Sequence, residues 1–164
     1  MVERKGVHWF ITNVLPQLKT SYLYLVIGKG KEKERIKEAI KVNKLENKVY
    51  LLEGINDETL NTIYSSADLF IMPNIPVRGD MEGFGMVLLE AGSAGLYSIA
   101  SDLEGIKDAV IDSVTGSLIK PYDKEAFIQA IEDKTNYDKN EITNQIKEKF
   151  SWEKTRDRYL SKIL

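Results

Sequence analysis

The chain contains no cysteine, which excludes disulfides, zinc–thiolate sites and a cysteine nucleophile. Its one histidine, His8, cannot build a histidine-rich metal site; beside Trp9 in a helical pattern it reads as a packing or surface residue. No apolar run approaches the 18 or more residues of a membrane helix, and the opening MVERKGVHWF does not have the apolar core of a signal peptide. A cytoplasmic location is the expectation. The chain also has little charge of one sign: the formal net charge of −2 gives no global pull towards nucleic acid or an anionic membrane. Repeats, low-complexity stretches and a convincing linker are all missing. What remains is an ordinary soluble balance of 43% hydrophobic and 29% charged residues. At 164 residues a single domain, 1–164, is expected, large enough to bury about two-thirds of its unfolded surface.

Hydrophobic spacing divides the chain into alternating helices and strands. Residues 7–18 place Val7, Phe10, Ile11, Val14 and Leu18 on one helical face. Residues 22–27 form a short apolar strand that ends in a Gly28-Lys29-Gly30 turn. A charged helix over 31–42 turns Ile36, Ala39 and Ile40 inward. Strands follow at 48–52, 68–72, 96–100 and 117–119. Helices are expected at 57–66, 85–94, 124–132, 141–149 and 152–163, with a short helical piece at 106–110. Asp57 or Asn56 caps the helix at 57–66. Strands joined by helices of this length imply parallel pairing through right-handed crossovers. Open sheets of this kind bind ligands at the carboxyl ends of their strands, and the loop after residue 72 leaves such an end.

The stretch that carries chemistry is EGFGMVLLE, from Glu82 to Glu90. Gly83, Phe84 and Gly85 form a turn in which glycine lets backbone come close to a ligand. Next come the first helical amides, among them Met86 and Val87, which have no partner inside the helix. The helix dipole makes that end slightly positive, so it attracts phosphate. Glu82 stands at the mouth of this site, and Glu90 lies about 9 Å along the helix at 1.5 Å per residue. Free amides between two carboxylates suit a sugar, a diphosphate and a ribose in a row. Glu90 falls in an apolar setting, where a carboxylate needs a partner; ribose hydroxyls are one. Taken alone, Glu82 reads equally well as a helix-cap acid and Glu90 as a surface residue.

Other signals are weaker. Gly28-Lys29-Gly30 lacks the third glycine of a dinucleotide fingerprint and any Gly-Lys-Ser/Thr, so a tight turn is the better reading. The lysine-rich stretch from Lys29 to Lys48 is interleaved with Glu32, Glu34, Glu38 and Glu46. It reads as a solvated face with i,i+4 ion pairs, not a nucleic-acid patch.

The two glutamates and the turn between them resemble the donor-binding motif of retaining GT-B glycosyltransferases, in particular family 4. There a Glu, seven residues and a second Glu enclose a Gly-Phe-Gly-like sequence. The resemblance extends along nearly the whole chain. GVHWFITNVLPQL, LYLVIGKG, NTIYSSADLFIMPN, AGSAGLYSIASDLEGIKDAV, TGSLIKPYDKEAF and FSWEKTRDRYL resemble that family's segments in the family's order. It implies an α/β fold, a Rossmann-like parallel sheet flanked by helices, forming the C-terminal half of a GT-B architecture.

By that resemblance the chain is the donor-binding half of a hexosyltransferase that retains anomeric configuration. Glu82 would contact the hexose and support its oxocarbenium-like centre. The amides of Gly83, Phe84, Gly85, Met86 and Val87 would hold the diphosphate together with Lys5, whose ERKG setting resembles the family's Arg-Lys-Gly segment. Glu90 would bind the ribose. The donor is expected to be UDP- or GDP-linked, and no cofactor and no metal are expected. An N-terminal acceptor domain is expected to be missing, so the isolated domain should transfer little alone. Membrane contact is expected only through the parent enzyme. Some features depart from the family: its arginine about five residues before the lysine has no counterpart, and Arg4 is not assumed to replace it. Glu104 stands where the family often has Gly, and residues 76–80 form a longer insert suited to shaping sugar choice. Two alternatives stay open, a stand-alone nucleotide-sugar-binding module and a GT-B-like nucleotide-sugar epimerase.

Overall fold

A computed structural model of the protein describes residues 1–133 and 137–151. Within them, five parallel strands alternate with six α-helices in the order expected. Strand β1 (Tyr24–Ile27) pairs in parallel with β2 (Val49–Leu52). Strand β4 (Tyr97–Ser101) lies between β3 (Leu69–Met72) and β5 (Gly116–Ile119). The hydrogen bonds therefore run in two parallel ladders. β1 and β3 both line a cavity of about 740 Å³.

The helices are α1 (Val7–Asn13), α2 (Lys33–Val42), α3 (Asp57–Ser66), α4 (Met86–Ser93), α5 (Lys124–Glu132) and α6 (Lys139–Phe150). Helix α1 is shorter than its apolar pattern predicts. Pro16 cannot continue an α-helix, and the chain passes through Val14 into a separate 3-10 turn, Leu15–Gln17. The apolar face still closes, because Phe10, Ile11, Val14 and Leu15 are all buried. Asn56, not Asp57, caps α3, its side chain accepting from the Thr59 amide at 2.8 Å. Asp138 caps α6 through the amides of Asn140 and Glu141, which starts that helix earlier than its apolar residues suggest. On α2 the ion pairs Arg35–Glu32 and Lys37–Glu34 form at i,i+3, not the i,i+4 spacing expected. The helix expected over 152–163 lies outside the described residues.

The core has two parts. The larger joins Phe10 and Ile11 of α1, Val26 of β1, Ile36 and Ile40 of α2, Ile99 of β4 and Phe127 of α5. The smaller joins Met72 at the end of β3, Leu88 of α4, Ala100 of β4, and Ile106, Ala109 and Val110. Gly105, beside Ile106 of that second cluster, closely approaches the backbone of Glu82 and Gly83. The cluster seats the first turn of α4 against the carboxyl ends of β3 and β4.

Candidate active site

Residues 3–5 form a single 3-10 turn that ends at Gly6, whose φ is +65°. A Cβ at Gly6 would lie 1.8 Å from the Pro73 carbonyl oxygen, so only glycine permits this approach. On the near side of it, the Ile75 amide donates to the Arg4 carbonyl at 2.9 Å. The segment bearing Arg4 and Lys5 is thus fastened to the loop that follows β3. That fastening brings Lys5 to Glu82 across 77 residues of sequence, with Nζ 2.5 Å from Oε2.

Glu82 is largely sheltered, its side chain 14% exposed. Asn74 Nδ2 also donates to Glu82 Oε2, at 3.2 Å, and Arg4 Nε lies 3.8 Å from the same oxygen. Burial pushes the Glu82 carboxyl up, but the hydrogen bond and charge of Lys5, the Asn74 amide and the Arg4 charge together hold it below the usual carboxylate range. It is ionised at neutral pH. Arg4 Nε also approaches Asp80 Oδ1 at 3.3 Å, which ties the 76–80 insert to the same cluster. That insert closes on itself through the Asp80 amide and the Val77 carbonyl, 3.1 Å apart.

The backbone from Glu82 to Gly83 is braced from the other side. Gly105, at φ +80°, comes so close that a Cβ there would meet the Gly83 carbonyl oxygen at 2.2 Å. Gly85 then caps α4 in the left-handed region, and the Leu88 amide bonds its carbonyl at 2.8 Å. The amides at this helix start precede the helix's own acceptors, at the end where the dipole is positive. Gly83, Phe84 and Met86 are exposed there, whereas Val87 is half-buried and lines the cavity.

Glu90 is exposed, contrary to the apolar setting its neighbours suggest. Helix α4 turns Leu88 and Ala91 into the core, which leaves Glu90 on its outer side. Its partner is the Tyr64 hydroxyl of α3, which donates to Oε2 at 3.3 Å. Burial, with the Glu90 charge and this hydrogen bond, pushes the Tyr64 phenol up to about 12.

The structure therefore joins Lys5 directly to Glu82. Glu90 touches neither, but Lys5, Val87, Glu90, Tyr64 and Asn74 line one cavity. Asn74, Asp80 and Tyr64 were not singled out from sequence, and Arg4, set aside there, belongs to the cluster. Asn74 carried one usable signal, a polar residue two positions past the carboxyl end of a strand; Tyr64 carried none. Among the described residues no group of three or more His, Asp or Glu side chains is placed to hold a metal ion. No helix among them is long and apolar enough to cross a membrane.

The chain carrying these residues matches a known family along most of its length. The family model described as glycosyl transferases group 1 matches residues 1–150. The chain belongs to this family. Among its relatives, the amylovoran biosynthesis glycosyltransferase AmsK of Erwinia amylovora is 31% identical over 130 residues, covering 77% of this chain and 32% of that protein. A GDP-mannose-dependent alpha-(1-6)-phosphatidylinositol monomannoside mannosyltransferase of Mycolicibacterium smegmatis is 30% identical over 139 residues, covering 81% and 36%. The chain thus spans about a third of the length of these curated relatives. Among solved structures, sucrose-phosphate synthase from Thermosynechococcus elongatus superposes with a TM-score of 0.81 at 24% identity, covering 99% of this chain and 43% of that one. Anabaena Alr3699/HepE in complex with UDP-glucose superposes at 0.81 and 20%, covering 99% and 46%. These likenesses establish the glycosyltransferase fold for this α/β domain.

Proposed function

We propose that this chain is the donor-binding part of a glycosyltransferase that moves a hexose from a nucleotide-diphosphate sugar to an acceptor, with retention at the anomeric carbon and without a metal. The observation that carries this reading is the Lys5–Glu82 contact near the start of α4, with Lys5 and Glu90 both lining one cavity. In it, the ammonium of Lys5 and the amides from Gly83 to Val87 bind the diphosphate and stabilise the charge it gains as it leaves. Glu82, ionised and anchored, faces the hexose and supports positive charge at the anomeric carbon. Glu90 gives up the Tyr64 hydroxyl for those of the ribose. The leaving phosphate accepts the acceptor's proton on the same face of the sugar, which preserves configuration. Cationic charge from Lys5 and Arg4 does the work a metal does elsewhere.

The names of the relatives support a nucleotide sugar as the ligand class and keep two bases in play, since one is GDP-mannose-dependent and one neighbour was solved with UDP-glucose. The acceptor is bound by protein outside this chain, whose relatives are more than twice as long. The test is calorimetric titration with UDP, GDP, ADP and their hexose conjugates in EDTA. One diphosphate should bind, and Glu90→Ala should weaken it by about 1.5–3 kcal/mol, the worth of a charged hydrogen bond. Unchanged affinity in a folded Glu90→Ala variant would remove the ribose role.

A further inference from the structure

We infer that Asn74 is a positioning residue for the donor sugar, holding Glu82 by Oε2 so that Oε1 is left to accept a hexose hydroxyl. The inference rests on the donor reading above and adds a residue to it. Asn74 is 2% exposed and follows β3 at its carboxyl end. Its Nδ2 donates to Glu82 Oε2 at 3.2 Å, and its Oδ1 is buried with no hydrogen-bond partner among the described residues. The amide orientation is fixed by chemistry: reversing it would set Oδ1 against a carboxylate. An apolar side chain of similar size would carry no unsatisfied oxygen. Packing alone therefore does not account for an asparagine here.

What the other two groups on Oε2 do explains the need for it. Lys5 is the cation the diphosphate competes for, and Arg4 is shared with Asp80. When phosphate draws Lys5 away, a neutral donor has no charge to follow it. Asn74 also has little freedom to move. Pro73 is pressed against Gly6 on one side, and the Ile75 amide is bonded to Arg4 on the other. The Glu82 carboxylate thus keeps one fixed contact through donor binding. Its second oxygen has no partner among the described residues.

The experiment compares the wild-type chain with Asn74→Leu, and with Asn74→Ala should the leucine variant not fold. Three quantities are read: the thermal midpoint, the titration of the Glu82 carboxyl carbon by NMR, and affinities for UDP, GDP and ADP against their hexose conjugates. The expected result is an unlowered midpoint for Asn74→Leu and a Glu82 titration moved to higher pH. The affinity added by the sugar should fall about tenfold, as for one lost hydrogen bond, with the bare diphosphate bound within about twofold of wild type. An unmoved Glu82 titration, an unchanged sugar increment, or an equal loss for diphosphate and conjugate each overturns the inference while leaving the donor reading in place. Failure of the wild type to bind any diphosphate or conjugate overturns the donor reading, and this inference with it.

Discussion

Replacing Gly6 with alanine tests whether the turn that delivers Lys5 is held as described. A non-glycine residue in the left-handed region costs about 1–2 kcal/mol, and φ at Gly6 is +65°. The added Cβ would lie 1.8 Å from the Pro73 carbonyl oxygen, so the two segments must part by more than about 1 Å to reach ordinary contact. That separation breaks the Ile75–Arg4 backbone bond, worth about 1 kcal/mol. The sum is about 2–3 kcal/mol, or about 4–12 °C in Tm for a domain of this size. A control isolates the contact from the strain. Gly54 has nearly the same φ, +66°, with nothing within 4 Å of its added Cβ; Gly54→Ala should lose only about 1–2 kcal/mol. Thermal unfolding of the two variants supplies the stability numbers, and titration with the bound diphosphate supplies the link to function. Gly6→Ala should bind it about tenfold more weakly, because Lys5 has moved. Equal Tm losses in the two variants, with diphosphate affinity intact in Gly6→Ala, would refute the argument that this close approach places the lysine.

Two titrations follow from the same geometry. The depressed Glu82 carboxyl contributes stability that is fully present above the unfolded value of about 4.3 and is lost as pH falls through the lower folded value. Between about pH 5 and pH 3 the wild type should therefore lose more Tm than Glu82→Gln; parallel curves would contradict the Lys5–Glu82 pairing. Tyr64, pushed up to about 12 by burial and by Glu90, should titrate part-way back towards 10 in Glu90→Gln, read by phenolate absorbance. An unmoved midpoint would mean that the two side chains do not interact.

Most of the architecture was legible because periodicity and turn chemistry are local. Val49–Leu52 of β2, Lys124–Glu132 of α5 and Asp57–Ser66 of α3 appear within a residue of their expected bounds. The errors arose where a local signal was overruled. Pro16 cut α1 short of the length its apolar stripe predicted, and Asp138 started α6 before its apolar residues did. The opening between the two ladders was invisible, because strand period says nothing about which strands bond. The site divides in the same way. Glu82, the glycine turn and Glu90 are close in sequence and were read from it, and Lys5 came from family resemblance. Arg4 reaches Glu82 and Asp80 through the close approach at Gly6, which no spacing rule reports, and Asn74 meets Glu82 through the path of the loop after β3. Tyr64 meets Glu90 from a different helix, and the exposure of Glu90 depends on which face of α4 the core takes.

The most direct test of the account is backbone amide NMR of this chain during titration with UDP, GDP and ADP in EDTA. The account predicts that one of them shifts the amides of Gly83, Phe84, Gly85, Met86 and Val87 together with Lys5, at the start of α4. Shifts confined to Gly28–Gly30 and the start of α2, with the 83–87 amides unmoved, would place the phosphate elsewhere and contradict it.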